Sequence, residues 1–281
     1  MRRTILALAA TTALALSACS SDDNTAEETT GGNGNSASGE VVTLKVGASP
    51  VPHADILNFI DENLAEDAGI DIEVVEYTDY VLPNRNLDSG ELDANFFQHV
   101  PYFEADSEDN GYDFDRGEGV HIEPYAAYSE TIDSIEDLPE GAQVSIVNDP
   151  SNQARALWLL EENGVLTLDE SVENPTIYDV VDNPKNVEFV ELEAPNLVRT
   201  LDQVDLAIIN GNFALDGGLV PAEDSIAIEE GEGNPYANVL AWNADTEKLE
   251  AIQTLDELLH SQEVADFITE NYPNGEVIPA F

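Results

Sequence analysis

The run Asn148-Asp149-Pro150-Ser151-Asn152-Gln153-Ala154-Arg155 places a scarce cation one turn into a predicted helix. Beyond Cys19 the chain has only seven basic residues: Lys45, Arg85, Arg116, Arg155, Lys185, Arg199 and Lys248. Asp149 or Ser151 can cap the helix, Pro150 suits its first turn, and Ala154 to Leu160 carries it onward. Asn152 and Arg155 are three apart and so share a face. Backbone N–H groups, the positive end of the helix dipole and a guanidinium then converge on one point, which suits a small carboxylate. The competing reading is that Arg155 pairs with one of the many acids of the chain.

A second set of groups is aromatic. Tyr80 follows a predicted strand, and Phe96, Phe97, His99 and Tyr102 crowd the segment after Asp93. If that segment is extended, Phe97 and His99 point the same way. Phe96 is expected in the core and Phe97 in a crevice. The four histidines, His53, His99, His121 and His260, form no HExxH and no i, i+4 pair. His53, His99 and His121 can still gather in space with a carboxylate, so a metal-capturing lipoprotein is the alternative function. No GxSxG, SxxK, GxxxxGK[ST] or strand-following GxGxxG is present. Binding is therefore expected rather than catalysis, with no metal and no cofactor.

These groups need elements to hold them. Strands are expected at 41–48, 70–77 and 93–97, with helices at 52–65 and 83–89 between them. This βαβ alternation predicts an α/β fold with parallel strands. Residues 120–129 read as the passage to a second lobe. There, strands are expected at 143–147, 187–192 and 204–209, with a helix from Asp149 to Gly164 and a short helix at 197–201. Asn210-Gly211-Asn212 reads as a loop, 238–242 as the return strand, and 249–259 and 263–271 as closing helices. Ligands of such folds sit at the carboxyl ends of strands, where the Asn152–Arg155 and Asn210 segments both fall.

The amino terminus reads as an address. Arg2 and Arg3 precede an apolar run, Ile5 to Leu16, which is too short to span a membrane. Leu16-Ser17-Ala18-Cys19 resembles the bacterial lipobox, which implies cleavage before Cys19 and its lipidation. Cys19 is the only cysteine, so no intrachain disulfide forms. Residues 20–40 are small and polar and are expected to act as a flexible tether reaching about 25 Å. Nine basic against 58 acidic residues give a formal charge of −49. That field repels nucleic acids and argues against such partners. It also suggests work in a salty exterior.

Four separated segments carry a resemblance: TDYVLPNRNLDSGELDANFFQHVPY, NDPSNQAR, NPKNVEFVELEAPNLVRTLDQVDLAIINGNFAL and NPYANVL. Through them the chain, from Leu44 to Phe281, resembles the NlpA/MetQ family of methionine-binding lipoproteins. The resemblance implies a two-lobed, periplasmic-binding-protein-like α/β fold with a ligand cleft between the lobes. Lobe 1 is expected at 41–127 plus 239–281 and lobe 2 at 128–238, after a signal peptide at 1–19 and a tether at 20–40. Also implied are a non-enzymatic receptor for methionine (L, D or within a dipeptide), an ABC transporter permease as partner, and a lipid anchor on the extracytoplasmic face of the cell membrane. By the same resemblance, Tyr80, Phe97 and His99 enclose the ligand side chain, Asn152 and Arg155 hold its carboxylate, and Asn210 and Asn238 are polar contacts. The ammonium needs carbonyls or an acid, and among the acids Glu123 is the candidate.

Overall fold

A computed structural model describes residues 41–231 and 233–281; the signal peptide, Cys19 and the tether lie outside them. Two mixed sheets organise this part. In the first, strands run in the order Ile278–Pro279, His121–Ile122, Asn238–Asn243, Ala94–His99, Val42–Ala48 and Ile70–Glu76, with Phe114–Arg116 also paired to Asn238–Asn243. The order in the second is Glu188–Leu192, Gln143–Val147, Leu206–Ile209, Ala126–Tyr128 and Ser225–Ile228. A small hairpin, Thr167–Leu168 with Val180–Asp182, stands apart.

The expected parallel units are present. Val42–Ala48 lies parallel to both Ile70–Glu76 and Ala94–His99, and Gln143–Val147 lies parallel to Glu188–Leu192 and Leu206–Ile209. The strands near the crossings differ: Asn238–Asn243 and Ala126–Tyr128 run antiparallel to their neighbours. A chain that leaves one sheet directly for the other, without a crossover helix, enters it reversed. Strand His121–Ile122 belongs to the first sheet and Ala126–Tyr128 to the second, so Glu123, Pro124 and Tyr125 lie on the outward crossing. The return runs between Ile228 and Asn238.

Each sheet has its own apolar core. Leu44, Val46, Ile56, Leu57, Ile60, Phe96, Leu240, Ile252 and Leu255 fill the first. Val144, Ile146, Leu157, Leu160, Leu206 and Ile208 lie in the second. Each such side chain contributes about 1.5–3 kcal/mol relative to exposure.

Helix Pro150–Glu162 forms where its signals predict, with Asp149 rather than Ser151 as the cap: its carboxylate accepts from Asn152 N–H at 2.9 Å. Three other readings need correction. The helix expected at 52–65 starts after the extended Val51 (φ −130°, ψ 136°) but runs on to Ala68 through alternating π and α turns, and stops at Gly69, whose φ is +77°. Helix Val100–Asn110 forms where none was expected. Four of its eleven residues are acidic and only Tyr102 and Phe103 are buried, so it lacks an apolar stripe. Its start is set by His99, whose Nδ1 accepts from Tyr102 N–H at 3.1 Å. The Asn-Gly-Asn run is not a free loop but the cap and first turn of helix Gly211–Asp216. Among the described residues no helix is long and apolar enough to cross a membrane.

Candidate ligand-binding site

All seven residues singled out from the sequence, Tyr80, Phe97, His99, Asn152, Arg155, Asn210 and Asn238, line one cavity of about 330 Å³. Gln98, Tyr102, Glu123, Gly211 and Asn212 complete the wall.

The first sheet supplies the rings. Along the extended strand Ala94–His99, Phe97 and His99 reach the cavity while Phe96 enters the apolar core. Tyr80 packs against Phe97, Tyr102 and Phe213, with centroids 5.0–6.0 Å apart. The offset and edge geometries are those favoured by aromatic quadrupoles. Tyr102 donates its hydroxyl to the Tyr80 carbonyl at 3.0 Å, which fixes the segment after strand Ile70–Glu76.

Polar groups come mainly from the second sheet and its helix starts. Asn152 is the hub. Its Nδ2 donates back to Asp149, while its Oδ1 faces His99 Nε2 at 3.0 Å and accepts from Asn210 Nδ2 at 2.8 Å. Since His99 sits on the first sheet, that contact spans the two halves. So does Tyr80, whose hydroxyl donates to Asn212 Oδ1 at 2.5 Å. Burial, with Arg155 next, lowers the pKa of His99 to about 3, so its ring is neutral.

Arg155 is shielded from solvent and is not a lone cation. Its Nε and Nη2 donate to Glu229 (2.9 and 2.7 Å), and Nη2 also donates to the Glu123 carbonyl at 2.9 Å. Tyr125 and Tyr236 lie against it, with centroids 4.9 and 4.2 Å from the guanidinium carbon. Arg155 therefore pairs with an acid, as the competing reading has it, and also lines the cavity. Among the described residues no partner engages Nη1.

Glu123 brings a carboxylate to the same wall. Burial pushes its pKa up, against the pull of His53 and Arg155. Gly211 permits its approach, since a Cβ there would lie 2.7 Å from Glu123 Cβ. Of the histidines considered for a metal, His53 and His121 do gather with Glu123, their ligand atoms within 4.8 Å of one another. His99 does not join them.

Several participants carried no local signal. Glu229 lies 74 residues from Arg155, and Tyr236 approaches the guanidinium only through the return crossing. Asn212 was legible in part, as a second polar residue in a segment at a strand's carboxyl end.

Two mixed sheets joined by crossings, with an aromatic and polar cavity between them, define a two-lobed α/β substrate-binding fold. The chain belongs to the NlpA lipoprotein family, whose profile matches residues 44–281. A lipoprotein from Actinomyces odontolyticus of known structure is 48% identical, with a TM-score of 0.83 over 86% of this chain and 100% of that one. The D-methionine-binding lipoprotein MetQ of Escherichia coli K12 is 38% identical over 83% of this chain and 87% of its own length. A nutrient-binding protein from Burkholderia cenocepacia, solved bound to methionine, is 38% identical with a TM-score of 0.80, over 85% of this chain and all of the other.

Proposed function

We propose that this chain is a lipid-anchored receptor on the extracytoplasmic face of the cell membrane. It captures methionine, as the L or D form or within a dipeptide, and delivers it to an ABC importer. No covalent step is assigned to it. The observation that carries the reading is that one buried cavity gathers a guanidinium, a carboxylate and a set of rings. An amino acid with an apolar, polarizable tail has complementary parts. Tyr80, Phe97 and His99 would enclose the thioether, each sulfur–aromatic contact contributing about 0.3–1.5 kcal/mol. Arg155, through Nη1, and Asn152 would hold the α-carboxylate by charge-assisted bonds. Glu123 would take the ammonium, with Asn210 and Asn238 as further polar contacts.

The methionine-binding names of the relatives support the ligand class, and the lipobox supports the anchor. The test is mass spectrometry of small molecules released by denaturing the purified protein, followed by calorimetry with L-methionine, D-methionine and methionine dipeptides. Methionine in the released fraction and saturable heat with one of these ligands is the expected outcome. No heat with any of them would refute the assignment.

A further inference from the structure

Glu123 has an arrangement behind it that the cavity wall does not reveal. Its Oε1 lies 2.9 Å from His121 Nε2 and 3.4 Å from His53 Nε2. Neither ring lines the cavity; both are buried behind it, against Phe96. His53 Nε2 also lies 3.1 Å from Asn238 Oδ1. A ring nitrogen between two oxygen acceptors carries the hydrogen, so His53 is the Nε2–H tautomer. By the same logic His121 donates from Nε2 to the carboxylate.

The opposite side of each ring agrees. Nδ1 of His53 and Nδ1 of His121 are buried and have no hydrogen-bond partner among the described residues. A doubly protonated ring would bury an unmet N–H there, which is costly. Burial accordingly lowers both pKa values, to about 4 for His53 and about 3 for His121. The same unpartnered atoms argue against a metal at this cluster. A metal bound through Nε2 would put a hydrogen on each Nδ1, and such hydrogens nearly always meet a carboxylate, carbonyl or water.

We propose that His53 and His121 are positioning residues: His121 donates a neutral N–H to Oε1 of Glu123, and His53, whose hydrogen goes to Asn238, packs its neutral ring 3.4 Å from the same oxygen, so that the carboxylate stays ionised and is aimed at the cleft. The cleft thereby selects ligands that carry an ammonium beside their carboxylate. Hydrogen bonds to the charged form of an acid favour that form, and neutral donors do so without cancelling the charge a ligand must meet. The inference rests on the cavity being the amino-acid site, and it adds the pair of residues that sets preference for the amine end.

Two measurements on the mature chain test it. Imidazole nitrogen spectra of the ligand-free wild type near neutral pH are expected to report neutral, Nε2-protonated rings for His53 and His121. An Nδ1-protonated tautomer or an imidazolium would overturn the proposal, whatever the ligand. Calorimetry then compares methionine with its deaminated analogue, methylthiobutyrate. His121→Phe keeps an aromatic ring but lacks the donor, and is expected to lose about tenfold or more in methionine affinity. Its affinity for the analogue should stay within about twofold of wild type, a difference near measurement error. His121→Gln restores a donor at the Nε2 position and is expected to recover most of the methionine affinity. Equal losses for both ligands would reduce His121 to packing and overturn the proposal. If the wild type binds neither ligand, the methionine reading fails, while the nitrogen spectra still decide the histidines' role. A stabilisation by Zn²⁺ that disappears in His121→Phe would replace the proposal with a metal site.

Discussion

Arg155 and Glu229 form a two-pronged ion pair in which only Arg155 lines the cavity, with their side chains 4% and 11% exposed. Planar guanidinium and carboxylate meet along one edge, and the rings of Tyr125 and Tyr236 cover the guanidinium's faces. One edge of the fork is thus fixed before any ligand arrives. A side chain already immobilised loses little freedom on binding, so more of its interaction appears as affinity.

That arrangement makes two variants separable. Arg155→Ala removes the cation, leaves the half-buried Glu229 without its partner, and is expected to weaken methionine binding by about 2–5 kcal/mol. Glu229→Gln keeps the shape and an acceptor but loses the charge that holds Nε and Nη2. It should lower unfolding stability by about 1–3 kcal/mol in urea titrations and weaken methionine binding through misalignment of Arg155. Unchanged calorimetric affinity in Glu229→Gln would mean that Glu229 serves stability alone.

Tyr80 touches both halves: its ring meets Phe97 and Tyr102 on the first and Phe213 on the second, and its hydroxyl is bonded to Asn212 on the second. Tyr80→Phe keeps the ring wall and removes the tie, which is worth about 0.5–1.5 kcal/mol. Methionine affinity should fall by about three- to tenfold, with a faster off-rate and little change in on-rate. Stopped-flow fluorescence checks this: a slower on-rate with an unchanged off-rate would place the effect in encounter rather than closure.

Much of this was legible in the chain, for local reasons. Asp149 and Pro150 mark a helix start, alternation places Phe97 and His99 together, and βαβ spacing implies parallel strands. What escaped depends on long-range pairing. Nothing near Glu229 distinguishes it among 58 acids, and Val100–Asn110 folds on a His99 cap and the burial of Tyr102 and Phe103 rather than on periodicity. The antiparallel return strands follow from where the chain crosses, which no single window records.

The buried histidines give stability a pH dependence with a definite sign. Burial holds the folded pKa of His53 at about 4 and those of His99 and His121 at about 3. Unfolded histidines titrate near 6.5, so below that value the unfolded chain takes up protons that the folded chain refuses. Their contribution is complete above about pH 6.5 and is lost as pH falls toward 4 and then 3. Asp149 works the other way over part of this range, since burial raises its pKa to about 6 and the folded chain takes up its proton first. Burial likewise raises Glu123. Three histidines outweigh these acids, and urea unfolding should show a loss of several kcal/mol between pH 7 and pH 5. The loss should be smaller in His121→Phe; an equal loss there would show that His121 does not contribute.

Salt should act in the opposite direction to acid. With nine basic residues against 58 acids, most carboxylates have no cation to pair with. Among the described residues the Lys and Arg ion pairs are Arg116–Glu104, Arg155–Glu229 and Lys248–Asp93, and only the second is shielded from solvent. Exposed acids such as Glu62, Glu66 and Asp67 therefore repel one another through water at moderate distances. The screening length falls from about 30 Å at 0.01 M salt to about 3 Å at 1 M, so added salt removes this repulsion more completely than it weakens the few pairs. The melting temperature should rise steadily with NaCl over that range, while a largely shielded pair such as Arg155–Glu229 is little affected. Calorimetric melting in NaCl and in KCl at matched ionic strength checks the cause: equal gains indicate screening, and a flat or falling curve would show that surface repulsion is not what limits stability.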